Sequence, residues 1–170
     1  LAFAQLPGCE AFVEQRLRSS RFLSVFMTGI RMLPGTQLAA ACAAPGADLT
    51  LEHVGINPTR IGVINILRAM GGKLDVLNER EVGGEPVADI RATGGSLRGI
   101  DIPPELVPRT IDEFPILAAT ALFARGTTRI TGAAELRVKE SDRISTMASE
   151  LSKLGGHVRE GVVLERDDPV

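Results

Sequence analysis

The stretch between Arg137 and Arg143 holds the residues whose types and spacing could do chemistry. Five of its seven residues are charged: Arg137, Lys139, Glu140, Asp142 and Arg143. The apolar pattern that follows predicts a helix starting here, and a helix start already carries partial positive charge from the backbone dipole. Lysine and arginine are unfavourable there unless an anion lies close by, and the N–H groups of a helix start bind phosphate or carboxylate. The stretch therefore predicts an anion site, with Glu140 and Asp142 offsetting part of its positive charge.

The helices and strands that position this stretch belong to a pattern that the sequence predicts to occur twice, about 80 residues apart. Each copy consists of an apolar helix, a turn that contains glycine, a strand, a second helix with an arginine near its start, and a strand that follows two glycines. The matching positions are Gly46 and Gly126, Arg60 and Arg143, and Gly71-Gly72 and Gly155-Gly156. A repeat of this length indicates duplicated α/β units and not a short solenoid repeat.

Local signals give the expected bounds of these elements. Asn57 or Thr59 is expected to cap the second helix of the first copy. Asp112 comes just before the first helix of the second copy. Residues 83–108 are rich in glycine and proline, which favours short strands and turns. Residues 1–35 do not follow the repeat.

The composition excludes proteins that hold nucleic acid by bulk charge. The chain has 170 residues, of which 44% are hydrophobic and 24% charged, which suits one globular domain or a large part of one. Its net charge of -2 gives no basic surface to attract a phosphate backbone. It has no tryptophan and no tyrosine, so a platform for stacking bases is not expected.

Isolated cysteines and histidines argue against a metal site. Cys9, Cys42, His53 and His157 form no pair at the spacing of a zinc motif. The sequence has no apolar run of about 18 residues, the length that a membrane span needs. Two cysteines fit a reducing compartment, and we expect a cytoplasmic protein. Because the chain starts with Leu1 and not with methionine, we expect its true N-terminus to be missing.

Several motifs in the right order resemble one enzyme family. The most specific is Glu135–Arg143, with the string Arg-Val-Lys-Glu-Ser-Asp-Arg, and Ile111–Pro115 and Ala118–Gly126 precede it. Gly55–Arg60 and Gly83–Asp89 add two more. Over about residues 45–170 the chain is similar to the 5-enolpyruvylshikimate-3-phosphate synthase (3-phosphoshikimate 1-carboxyvinyltransferase) family, most of all to its bacterial forms.

The resemblance implies a fold and a reaction. The fold would be α/β, part of an enolpyruvyl transferase fold built from repeated βαβαββ units. Residues 36–170 would form part of the C-terminal domain, about one and a half units, and residues 1–35 stay unassigned and divergent. Members of the family transfer the enolpyruvyl (carboxyvinyl) group of phosphoenolpyruvate to the 5-hydroxyl of shikimate 3-phosphate and release phosphate. This reaction belongs to the shikimate pathway of aromatic amino acid biosynthesis.

The same resemblance implies the partners of the protein. These are the two small anionic substrates, phosphoenolpyruvate and shikimate 3-phosphate, with no metal and no organic cofactor. Neither nucleic acid nor membrane is an expected partner, and the parent enzyme is expected to be a monomer in the cytoplasm.

Four residues match the family's catalytic and binding positions. Asp112 matches the proton acceptor that also binds the shikimate unit. Lys139 matches a lysine that contacts the shikimate phosphate and the reacting centre. Glu140 matches an acid implicated in protonating the vinyl carbon, and Arg143 matches an arginine that binds phosphoenolpyruvate. Catalytic roles thus fall to Asp112, Lys139 and Glu140, and substrate binding to Asp112, Lys139 and Arg143.

Each of these residues also has a plainer interpretation from the sequence alone. Asp112 could be a simple helix cap, and Lys139 a solvated surface lysine. Glu140 could be an acid that the helix dipole favours in a first turn. Arg143 could be paired with Asp142 or Glu140.

The chain also departs from the family pattern. Pro34–Leu38 is shorter than the matching stretch of relatives and lacks their pair of serines. The lysine, arginine and Ser/Gln group with which the family's N-terminal domain binds phosphate is not recognisable here. A non-catalytic fragment or remnant is therefore an alternative. A second alternative is the related transferase that acts on UDP-N-acetylglucosamine, and the stretch from Lys139 to Arg143 argues against it.

Overall fold

The computed structural model of the chain describes residues 2–4, 34–58, 61–133, 142–153 and 156–160. The fold is mixed α/β, as predicted. The helices and strands run in the order β1 (Ala2–Ala4), α1 (Pro34–Ala43), β2 (Asp48–Gly55), α2 (Gly62–Ala69), β3 (Lys73–Val82), β4 (Glu85–Thr93), β5 (Asp101–Ile102), α3 (Phe114–Ala121), β6 (Thr127–Ile130), α4 (Arg143–Lys153) and β7 (His157–Arg159). Two short 3₁₀ helices, Pro104–Leu106 and Pro108–Thr110, precede α3.

One sheet contains three antiparallel strands in the order β2-β4-β3. Its central strand is β4, a nine-residue strand in a region where the sequence predicts only short strands and turns. That expectation is wrong for β4, because buried Ala88, Ile90 and Ala92 alternate with the polar residues Asp89 and Arg91. This period of two is the signature of a strand with one buried face, and it outweighs the high local content of glycine and proline.

Asp89 holds two irregular points of this sheet in place. The register of β2 shifts between Leu51 and Val54, and that of β3 shifts between Leu77 and Arg80. His53 and Asn78 lie at these shifts with left-handed backbone angles, φ 58° and 52°. The carboxylate of Asp89 accepts hydrogen bonds from His53 N (3.0 Å), Asn78 Nδ2 (2.8 Å) and Arg80 Nη2 (3.0 Å).

The other sheet has four strands in the order β5-β6-β1-β7. Strand β1 is antiparallel to both of its neighbours, with Phe3 opposite Thr128 in β6 and Val158 in β7. Strand β5 pairs with β6 in parallel. Residues 2–4 therefore share a sheet with the later part of the chain, and the division at residue 35 stays a prediction.

The helices pack on one another and bury the core. Helix α1 contacts α2, α3 and the three-stranded sheet. Leu38 of α1 and Ile66 and Leu67 of α2 are fully buried. The expected cap of α2 by Asn57 is wrong, and its alternative Thr59 lies outside the described residues. Helix α2 begins only at Gly62, and Ile61 at its N-cap position makes no side-chain cap hydrogen bond.

The order of elements is the same in two parts of the chain. Helix, strand, helix and strand follow one another as α1, β2, α2, β3 and again as α3, β6, α4, β7. Gly46 and Gly126, which the sequence matches to each other, both have positive φ, 74° and 89°. The chain turns in a left-handed backbone conformation at both points, which glycine adopts without steric cost. The assignment to repeated βαβαββ units stays a prediction.

Candidate active site

The turn that carries Asp112 is held at both of its ends. On one side the hydroxyl of buried Thr110 donates to the carbonyl oxygens of Leu106 (3.0 Å) and Val107 (3.2 Å). On the other side α3 begins at Phe114, whose side chain is 3% exposed. Asp112 lies between these two anchors and is exposed. The sequence thus places a carboxylate at a fixed point of the surface.

Asp112 does not act as a cap of α3. The N-cap position belongs to Glu113, and no side chain forms a cap hydrogen bond there. Among the residues that the structure describes, no hydrogen bond or ion pair involves the carboxylate of Asp112. The plainer interpretation of Asp112 as a helix cap is therefore wrong, and its carboxylate is available to a ligand.

A shallow pocket lies next to this carboxylate. Its volume is about 300 Å³, and it is lined by Thr36, Asp112, Glu113, Pro115 and Ile116. Thr36 belongs to α1, and the other four belong to α3 and the turn before it. The size is at the lower end of the range for small-molecule sites.

Glu113 is a member of this pocket that the sequence interpretation missed. Its side chain is half-buried, and burial raises the pKa of its carboxyl above the usual range, with a further rise from the charge of Asp112. A Cβ placed on Gly35 would lie 2.5 Å from Glu113 Oε1, so this carboxyl sits directly over the start of α1. The one signal in the sequence is the pair of adjacent acids before an apolar helix.

Arg143 is the first residue of α4, and its neighbour Asp142 caps that helix. Asp142 Oδ1 accepts hydrogen bonds from the backbone N–H groups of Ile144 (3.1 Å) and Ser145 (3.0 Å). The hydroxyl of Thr146 donates to the backbone oxygen of Asp142 (2.9 Å). Such a cap satisfies N–H groups that would otherwise be left without partners and defines where the helix starts.

The half-buried side chain of Arg143 forms no ion pair with any acidic residue in the described part of the chain. The plainer interpretation that pairs Arg143 with Asp142 is therefore wrong. Its alternative partner Glu140 lies outside the described residues, as does Lys139. Of the four predicted site residues, the structure therefore locates Asp112 and Arg143.

Helices α3 and α4, which follow Asp112 and begin at Arg143, are in contact with each other. Just beyond their ends, Leu122 after α3 packs against Gly156 after α4, where an added Cβ would lie 2.9 Å from Leu122 Cδ2. No hydrogen bond or ion pair joins Asp112 to Arg143 in the described structure. The structure thus packs the two helices together, and a direct contact between their two site residues is not part of it.

Among the described residues, no three side chains of the types His, Cys, Asp and Glu gather in a group that could hold a metal ion. No helix within the same residues is long and apolar enough to span a membrane. The expectations of a metal-free and cofactor-free reaction stay predictions.

Comparison with known proteins assigns the family. Residues 31–166 match EPSP synthase (3-phosphoshikimate 1-carboxyvinyltransferase). The chain belongs to the EPSP synthase family. The resemblance of its motifs to this family is thereby confirmed.

Individual EPSP synthases are also similar to this chain. The 3-phosphoshikimate 1-carboxyvinyltransferase of Halorhodospira halophila is 64% identical over 118 residues, which cover 69% of this chain and 27% of that protein. The enzyme of Acidithiobacillus ferrooxidans is 62% identical over 125 residues, or 74% of this chain and 29% of that protein. The structure of EPSP synthase from Acinetobacter baumannii superposes with a TM-score of 0.67 at 55% identity, covering 69% of this chain and 27% of that one. The chain spans about a quarter of the length of the relatives it matches.

Proposed function

We propose that the full-length gene product containing these residues transfers the carboxyvinyl group of phosphoenolpyruvate to the 5-hydroxyl of shikimate 3-phosphate and releases phosphate. The observation that carries the proposal is the position of Asp112. Its carboxylate is exposed beside a pocket, on a turn fixed by Thr110 and Phe114, with no partner among the described residues. The family of the chain supplies the reaction that such a carboxylate would serve.

Asp112 is the proposed proton acceptor. As the 5-hydroxyl oxygen bonds to the central carbon of phosphoenolpyruvate, its proton passes to the carboxylate of Asp112. A base held within hydrogen-bond reach of the hydroxyl typically contributes about 10²–10⁴-fold to such a step. The rigid turn serves this purpose because a small displacement of a catalytic group sharply reduces the rate.

Glu140 is the proposed acid of the same step. It gives a proton to the vinyl carbon of phosphoenolpyruvate, which becomes a methyl group in the tetrahedral intermediate. In the second step the carbon–oxygen bond to phosphate breaks, the departing phosphate takes the proton held by Asp112, and a proton of the methyl group returns to the carboxylate of Glu140. These events restore the double bond and release phosphate.

Lys139 and Arg143 are the proposed anion ligands. Lys139 would bind the phosphate of shikimate 3-phosphate, and Arg143 would bind phosphoenolpyruvate. A guanidinium group offers two parallel N–H donors that match phosphate or carboxylate geometry, which an ammonium group lacks. Fixed cations of this kind favour the charged intermediate more than water does.

The remaining features of the proposal follow from the family. Residues 36–170 would be part of the C-terminal domain, with α1 to β4 and β5 to β7 belonging to successive βαβαββ units. Further anion ligands are proposed to come from protein outside these residues, because the chain spans only about a quarter of its relatives. We propose a monomeric, cytoplasmic enzyme that acts on these two small molecules without a metal or an organic cofactor.

A non-catalytic fragment is the second candidate. The observation that favours it is that the phosphate ligands of the family's N-terminal domain are not recognisable among these residues. Such a protein would bind anions weakly and would not turn over.

A phosphate-release assay on the full-length gene product tests the proposal. Phosphoenolpyruvate is supplied with shikimate 3-phosphate or, separately, with UDP-N-acetylglucosamine. The proposal expects sustained release with the first acceptor alone, and loss of that release in Asp112→Ala and Lys139→Ala variants that keep the wild-type circular dichroism spectrum. Release only with the UDP-sugar, or none with either acceptor, would refute it.

A further inference from the structure

We propose that Glu113 is a positioning residue for Asp112, held over Gly35 so that the turn directs the Asp112 carboxylate into the pocket. The inference rests on the proposed function, because it assigns Glu113 a part in the reaction that Asp112 would serve. Glu113 would touch neither substrate nor reacting atoms and would act through its neighbour.

The first observation is the position of the Glu113 carboxyl against Gly35, which we call its seat. Measured from a Cβ placed on Gly35, Glu113 Oε1 lies at 2.5 Å and Val63 Cγ1 at 2.8 Å. Real Cβ atoms do not approach other atoms this closely, so an alanine at position 35 would require the end of the Glu113 side chain and Val63 Cγ1 to shift. The backbone of Glu113 is fixed as well, since its N–H donates to Thr110 O at 3.0 Å.

This seat joins the two walls of the pocket. Gly35 is followed by Thr36, which lines the pocket from α1, and Glu113 follows Asp112, which lines it from the turn before α3. In the proposal, the contact between Gly35 and Glu113 holds the turn and so fixes how far the Asp112 carboxylate stands from the opposite wall. A substitution that breaks this contact would then let Asp112 shift.

The second observation concerns the charged residues on the elements around Glu113. Helix α1 and helix α3 contain no charged residue, and the one charged residue of α2 is Arg68, whose guanidinium donates to Leu74 O. In the 3₁₀ helix packed on α2, the charged residue is Arg109. Burial, and after it the charge of Asp112, raise the pKa of the Glu113 carboxyl. Because packing holds Glu113, the repulsion between the two groups acts on the exposed carboxylate of Asp112 and limits the positions it can take.

The test uses three variants of the full-length gene product. Glu113→Gln keeps the size of the side chain and removes its charge. Gly35→Ala keeps the charge and removes the seat. Glu105→Gln is the matched control, an exposed glutamate in the 3₁₀ helix Pro104–Leu106. Turnover number, KM for each substrate, the pH profile and the thermal midpoint are measured for all of them.

The proposal expects kcat to fall by about tenfold or more in Glu113→Gln and Gly35→Ala, because small displacements of a catalytic group are costly. The KM for phosphoenolpyruvate and the kinetics of Glu105→Gln stay at wild-type values. The wild-type kcat falls as pH drops through the raised pKa of Glu113, and this step is missing from the profile of Glu113→Gln. A merely structural role would lower the thermal midpoint and leave the pH step in place.

The outcomes separate this inference from the function on which it rests. A wild-type protein without turnover overturns both. An active wild type whose Glu113→Gln variant keeps the wild-type kcat and pH profile overturns the positioning role alone. If the Gly35→Ala variant does not fold, the kcat and pH profile of Glu113→Gln still test the positioning role.

Discussion

Asp112 and Glu113 are neighbouring carboxylates in opposite environments. Asp112 is exposed beside the pocket, whereas Glu113 is half-buried over Gly35 and has a raised pKa. Enzymes commonly give different tasks to two adjacent carboxyl groups by placing them in different surroundings. We propose that here the exposed group meets a substrate and the half-buried one holds the turn.

Replacing Glu113 with glutamine should stabilise the fold at neutral pH. The folded-state pKa of Glu113 lies above its unfolded value, so its contribution to stability is full below the unfolded pKa and is lost as pH rises through the folded one. Glutamine does not ionise and escapes this loss. Thermal unfolding of Glu113→Gln followed from pH 4 upward should show a midpoint advantage that grows as Glu113 ionises in the wild type. A midpoint advantage of Glu113→Gln over the wild type that is largest at acid pH, or equal at every pH, would contradict the raised pKa of Glu113.

Replacing Arg143 with lysine should weaken the binding of phosphoenolpyruvate. The change keeps the positive charge and removes the two parallel donors, a loss of about 1.5–3 kcal/mol for a hydrogen bond to a charged group. The KM for phosphoenolpyruvate should rise by about tenfold or more, with little change in the KM for shikimate 3-phosphate. Arg159→Lys, on the exposed side of β7, is the matched control. Equal effects on both substrates would argue against the assignment.

Replacing Asp89 with asparagine should lower the thermal midpoint by several degrees. Its carboxylate, with a side chain only 13% exposed, ties His53, Asn78 and Arg80 together. The backbone N–H of His53, then Asn78 and Arg80, hold the pKa of Asp89 well below its usual range. The stability it contributes is therefore present above the unfolded pKa and is lost as pH falls toward the folded one.

A surface ion pair serves as the control for Asp89. Asp48 pairs with Arg91 at 2.6 Å, but its side chain is 53% exposed. Exposed pairs contribute little to stability, so Asp48→Asn should barely move the midpoint. Equal drops in the two variants would contradict a larger contribution of Asp89 than of an exposed ion pair.

An exchange experiment decides between an active segment and a remnant. Residues 31–166 replace the corresponding segment of the Halorhodospira halophila relative, which supplies the rest of an EPSP synthase. We expect the chimera to release phosphate at a rate within about tenfold of that relative, because the aligned residues are 64% identical. A folded chimera without turnover would show that the segment has lost its function.

Features set by neighbouring residues were predictable from the sequence. The start of α4 follows from Asp142 and the apolar spacing behind it, and the start of α3 follows from the residues after Asp112. The end of α2 just before Gly71 was also predictable, because glycine readily adopts the left-handed backbone conformation that often ends a helix. These signals act within one or two helical turns, so no knowledge of the fold was needed to read them.

Features set by distant contacts were not predictable. Strand β1 has three residues, and its place between β6 and β7 depends on partners more than 120 residues away. The close approach of Glu113 Oε1 to Gly35 joins two residues that lie far apart in the chain. That Asp112 does not cap α3 depends on the exact backbone of the turn. The composition of a local window carries none of this information.

The turnover number of Asp112→Asn, set beside its affinity for shikimate 3-phosphate, tests the central claim most directly. Asparagine keeps the size of the side chain and does not accept the proton. The account predicts that kcat in the full-length gene product falls by about 10²–10⁴-fold, the typical contribution of a general base, while shikimate 3-phosphate still binds. A kcat close to the wild-type value would contradict the role of Asp112 and the active site built around it.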